Sequence, residues 1–189
     1  MIETLPEEIN TIFKANNIGY EFILNKEEKG CSFRIVKKSD DFIHSKIVQP
    51  AWQWLQSKGI FKGAYEEFCK SLDFLSSPAP DYPNSIKEAN SAFESTMKII
   101  TANDKHLQNM ENETAVNLIT ELVRGGYVDS KLQQGFQSLP TFANMKGRHG
   151  KGPTKESPTK EEAEFALGLA SMFITFLIKE FYKRQKGTD

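Results

Sequence analysis

Most of the chain repeats its apolar residues at helical intervals, with breaker-rich joints between the runs. Ile86, Ala89, Ala92, Phe93, Met97 and Ile100 recur every three or four residues, which predicts a helix over 84–101 with one apolar face. Leu118, Ile119, Leu122 and Val123 mark a second helix over 115–124, ended by Gly125-Gly126. A third, modestly amphipathic helix runs from Lys131 to about Asn144, with Ser130 as its expected cap. The fourth spans 159–183. Thr159 with Glu162 three residues on forms a capping box, and Lys179, Lys183 and Arg184 suit the negative end of the helix dipole. On this last helix Phe165, Leu169, Met172, Phe173 and Phe176 read as core or as the seam of a dimer.

The first eighty residues follow a different pattern. A short helix over 6–16 carries Ile9, Ile12 and Phe13 on one face. Residues 20–24 and 31–36 are rich in β-branched and aromatic side chains around a polar loop, which predicts a hairpin. Two strands do not stand alone in water, so this hairpin must pack on something. A helix follows to about Ser57, with Asp40-Asp41 as cap, Ile43, Ile47, Trp52 and Leu55 as apolar positions, and Pro50 as a kink or restart. Trp52 and Trp54 leave it on different sides. Another helix covers 63–75, with Tyr65, Phe68, Leu72 and Phe74 apolar. Ser76 to Pro83 is a breaker-rich loop that sets a boundary near residue 80. The expected fold is therefore mainly α: a bundle of about four helices over 81–189, preceded by a helix–β-hairpin–helix attachment over 1–80.

Composition narrows the function classes. At 189 residues the chain is one domain, or one with a small appendage. Fourteen Phe and 39% hydrophobic residues supply a real core. A formal net charge of −1 leaves any nucleic-acid contact to a local patch. Cys31 and Cys69 have neither metal-ligand nor disulfide-framework spacing, which fits a reducing compartment. The acidic start lacks the pattern of a signal peptide, and the longest apolar run, 165–178, is shorter than a bilayer span, so a cytoplasmic protein without membrane partners is expected. His44, His106 and His149 are scattered, and neither His-Glu-x-x-His, Cys-x-x-Cys nor a phosphate-binding Gly-rich signature occurs. No metal and no cofactor are expected.

The stretch that carries chemistry is Asn144 to Gly152, a Gly-rich elbow between the third and fourth bundle helices. It holds His149 among Lys146, Arg148 and Lys151. An imidazole moves protons near neutral pH, and neighbouring cations hold phosphate and offset charge in a transition state. That set suits RNA cleavage, in which the 2′-hydroxyl is the nucleophile. A solvated loop histidine fits the same residues. Lys146, Arg148, Lys151, Lys155 and Lys160 read either as a solvated run or as a phosphate-binding rim. Glu94 and Lys98, one turn apart, read either as a surface ion pair or as groups that meet the histidine or RNA.

Several separated motifs resemble the HEPN domain of the abortive-infection C-terminal type. They are Ile86 to Lys98, the Gly125-Gly126 pair, and a helix ending in Asn144-x-x-Gly-x-His-Gly-x-Gly before a long apolar helix. Phe42 to Ala51 and Tyr65-Glu-Glu-Phe68 are similar to segments found ahead of such domains. The resemblance covers about 40–183. It implies a dimeric helical bundle in which two copies of an Arg-x(4–6)-His motif meet at the interface. Active members are metal-independent endoribonucleases that serve as toxins or antiphage effectors, and an antitoxin or other defence protein is an expected partner. The family histidine falls on His149 and the polar residue after the arginine on Asn144. The arginine falls on Ala143, so its guanidinium is missing. The favoured reading is a change from arginine to alanine at 143, which impairs the enzyme and leaves the fold. A non-catalytic dimerisation or RNA-binding module is the alternative.

Overall fold

A computed structural model of the chain describes residues 5–15, 20–27, 30–37, 44–147 and 157–186. The chain forms two compact units, 1–46 and 47–189. The described residues form seven α-helices and one two-stranded sheet.

The first unit holds α1 (Leu5–Ala15), β1 (Tyr20–Glu27) and β2 (Gly30–Lys37). The strands are antiparallel, with Tyr20 opposite Lys37 and Glu27 opposite Gly30. A two-stranded sheet leaves the outer edge of each strand without backbone partners. On β1 the side chain of Asn10 supplies them. Its amide nitrogen donates to the Phe22 carbonyl at 2.8 Å, and its oxygen accepts from the Phe22 N–H at 2.7 Å. The predicted need for a packing partner is thus met by α1. Across the strands Phe22 stacks on Phe33 with ring centres 5.5 Å apart.

The second unit begins at Ile47, well before the boundary expected near residue 80. It contains α2 (Gln49–Ser57), α3 (Lys62–Ser76), α4 (Tyr82–Asn103), α5 (Ala115–Arg124), α6 (Gln133–Lys146) and α7 (Lys160–Lys186). The loop that suggested a boundary is the turn of an α3–α4 hairpin. The Asp81 N–H closes it on the Phe74 carbonyl at 2.9 Å, and Asp81 caps α4 by accepting from the Asn84 N–H at 3.1 Å. Ser71 and Ser85 exchange buried hydrogen bonds to each other's carbonyls at 2.8 and 2.9 Å, so the facing helices leave no unsatisfied hydroxyl there. Pro50 lies in the first turn of α2, just after a turn of π-helix (His44–Val48), where its missing N–H costs nothing. Trp52 packs on Tyr65 of α3, and Trp54 stacks on Tyr182 of α7.

α7 is the central helix. Ala163, Ala166, Leu167, Ala170, Ile174, Leu177, Ile178 and Phe181 are buried along it. By length and composition alone it could cross a membrane, yet half of its most apolar stretch is buried in the protein. It runs alongside α4 in the same direction, with Phe93 and Phe173 meeting at mid-length, ring centres 5.4 Å apart. α6 runs opposite to both: Phe136 stacks on Phe173 at 4.3 Å, and Phe142 meets Phe165 edge-on at 5.7 Å. Before α6, Asp129 and not Ser130 is the cap. Its carboxylate accepts from the Lys131 N–H at 2.8 Å and opens a 3-10 turn over Ser130–Leu132. Thr159 and Glu162 form the expected capping box on α7, with bonds of 2.9 and 3.3 Å.

The far end of α7 is locked to α5. Arg184 donates to the carbonyls of Gly125, at 2.9 Å, and Gly126, and its guanidinium covers the Tyr127 ring at 4.3 Å. Gly126 has φ of +73°, a conformation that a side chain would strain.

Candidate functional site at the α6–α7 elbow

α6 presents Phe136, Leu139, Pro140 and Ala143 to the core, positions spaced by three and four residues. Ala143 is therefore nearly buried, while Asn144 and Met145 face solvent. Gly147 ends the helix. Its N–H donates to the Ala143 carbonyl at 2.7 Å, and a β-carbon on it would lie 2.9 Å from that same oxygen. The same β-carbon would lie 3.5 Å from both the backbone nitrogen and the Cβ of Lys87. The end of α6 at Gly147 is thus pressed against the first turns of α4.

Lys146, half-buried at the end of α6, meets Glu162 in the first turn of α7 at 2.6 Å. Its ammonium, together with the Thr159 N–H, holds the Glu162 carboxyl below the usual carboxylate range. The cation expected to serve as a free phosphate-binding group is therefore already engaged. Glu94 and Lys98 form an ion pair at 3.0 Å, the surface-pair reading of those residues. They lie seven and eleven residues past Lys87, so Lys87, Ser91, Glu94 and Lys98 form one polar stripe along α4. Glu94 stands about 10 Å along the axis from Lys87.

Close to this stripe, Glu67 of α3 has its carboxyl pushed above the usual range by burial. A hydrogen bond from Ser95 opposes the shift, and the charge of Glu88 adds to it. Its Oε2 is buried without a hydrogen-bond partner. Among the described residues no three His, Cys, Asp or Glu side chains are grouped so as to hold a metal ion.

The structure brings Ala143, Asn144 and Lys146 together at the end of α6, with Glu162 and Lys87 beside them. Arg148, His149 and Lys151 lie outside the described residues. Lys87 and Glu162 were not predicted as site residues. The 4-3-4 spacing of Lys87, Ser91, Glu94 and Lys98 was the available signal for the first. The pairing of Lys146 with Glu162 had no local signal.

The fold is a helical bundle with a polar elbow between its last two long helices. Residues 62–181 match the Abi_C family, described as a HEPN-like domain. The chain belongs to that family of HEPN-like domains. No curated protein and no solved structure matches it.

Proposed function

We propose that this protein is a HEPN-type, metal-independent endoribonuclease of a toxin or antiphage (abortive-infection) system, weakened by alanine at position 143. The match of 62–181 to a HEPN-like domain carries this reading. In the proposed reaction the RNA 2′-oxygen attacks the adjacent phosphorus and the 5′-oxygen leaves, giving a cyclic phosphate. His149 transfers the proton, and Asn144, exposed at the end of α6, positions the histidine or the phosphate. An arginine at 143 would contribute a guanidinium to the phosphorane-like charge. A homodimer would bring two elbows together, and an antitoxin or other defence protein would restrain it. The partly open apolar row on α7 supports pairing: Phe165 is 56% exposed, Met172 44% and Phe176 41%.

The second reading is a non-catalytic module that dimerises or binds RNA. Ala143 favours it, because α6 lacks the motif cation. Ala143→Arg separates the two. The first reading expects growth arrest on induction and cleavage of total RNA in EDTA by the purified variant, both lost on adding His149→Ala. A folded, dimeric Ala143→Arg protein that leaves RNA intact would sink the ribonuclease and leave the module.

A further inference from the structure

We infer that Lys87 is a phosphate-binding cation where α6 ends at Gly147, supplied by α4 in place of the guanidinium absent from α6. The inference rests on the RNA-directed reading above and assigns a residue to it.

Three observations meet at this position. First, Ala143 carries no charge, and its side chain faces the core. Second, the nearest described cation on α6, Lys146, is bound to Glu162 at 2.6 Å, so turning it to a phosphate would cost that pair. Third, Lys87 stands against Gly147: a β-carbon there would be 3.5 Å from the Cβ and the nitrogen of Lys87. Its side chain is exposed, and no described acidic group forms an ion pair with it. The next cation along the stripe, Lys98, is bound to Glu94 at 3.0 Å. Among the described residues Lys87 is thus an ammonium without an ion-pair partner, on a rigid helix at the place where α6 ends. A single-stranded RNA backbone passing the elbow would gain a charge-assisted contact from it without breaking an existing one.

The test is fluorescence anisotropy of the full chain with a labelled mixed-sequence single-stranded RNA over a series of KCl concentrations. Lys87→Ala and Lys87→Gln are expected to weaken binding about five- to ten-fold at low salt. They should also lower the slope of log K against log salt by about 0.7, the loss of one phosphate contact. Lys87→Arg should restore both, whereas Lys105→Ala, beyond the far end of α4, should change neither. A general structural effect of Lys87 would not move the salt slope by one contact. If the parent chain binds RNA and both neutral variants keep its affinity and slope, the inference fails and the RNA reading stands. If the parent chain binds no RNA at low salt, the two fail together.

Discussion

The Lys146 ammonium and the Glu162 carboxylate meet at 2.6 Å, so the last turn of α6 is tied directly to the first turn of α7. Glu162 also accepts from the Thr159 N–H at 2.9 Å, which joins the pair to the capping box. One side chain therefore sets both where α7 starts and how it meets α6.

Two substitutions separate those roles. Glu162→Gln keeps a capping partner and removes the charge, and is expected to lower Tm by about 1–3 °C, since a partly exposed pair contributes little. Glu162→Ala removes both and should lower it by about 3–6 °C. Thermal unfolding followed by circular dichroism measures the difference. Equal losses would mean that the capping bond contributes nothing beyond the ion pair.

Gly147 and Gly135 should respond to alanine in opposite directions. A β-carbon at 147 meets the Ala143 carbonyl at 2.9 Å, so the chain must shift, and a loss of about 1–3 kcal/mol is expected. At 135, inside α6, a β-carbon has nothing within 4 Å, and the gain in helix propensity should stabilise by up to about 1 kcal/mol. Urea unfolding of both variants checks the sign of each.

Arg184→Ala should cost about 2–3 kcal/mol in urea unfolding, because it leaves the Gly125 and Gly126 carbonyls without their charged donor and uncovers Tyr127. Arg184→Lys is expected to recover less than half. A single ammonium cannot reproduce a planar fork that reaches two carbonyls while lying over a ring.

Stability should fall in acid, with a component of opposite sign from Glu67. Hydrogen bonding to Arg124 holds Glu121 low, against the cost of its burial. For Asp104 burial acts upward, but the Tyr127 hydroxyl, the His106 N–H and nearby positive charge outweigh it. Lys146 lowers Glu162. Each of these folded-state pKa values lies below its unfolded value. Their stabilisation is thus complete above the ordinary carboxylate pKa, roughly 4, and lost as pH falls through the folded values. Glu67 is raised, so its ionised form costs stability above its folded pKa. Glu67→Gln should therefore raise the urea midpoint near neutral pH, with the gain shrinking toward roughly pH 4. A gain independent of pH would point to packing instead of charge.

α5 was legible to the residue, because Leu118, Ile119, Leu122 and Val123 give a clean helical period and Gly125-Gly126 stops it. The capping box of α7 was equally plain, since Thr159 and Glu162 are three residues apart and need no distant partner. The choice between Ser130 and Asp129 as cap was not: both residue types cap well, and the preceding 3-10 turn decided for Asp129. Of the elbow the sequence offers residue types alone, since Arg148, His149 and Lys151 lie outside the described residues, and the match of 62–181 agrees with the motifs that suggested the family.

By itself the sequence determined the helical class, the buried faces of α4 and α5 and the HEPN-like pattern, because periodicity, caps and breakers act over a few residues; on α7 it marked Phe165, Met172 and Phe176, which the structure leaves exposed. The tertiary structure decided which surfaces meet. It joined α3 to α4 through Ser71 and Ser85 and so moved the unit boundary to Lys46, engaged Lys146 with Glu162, and set Lys87 beside Gly147. Apolar burial is non-directional and does not name a partner, so these pairings follow from the packing of whole helices.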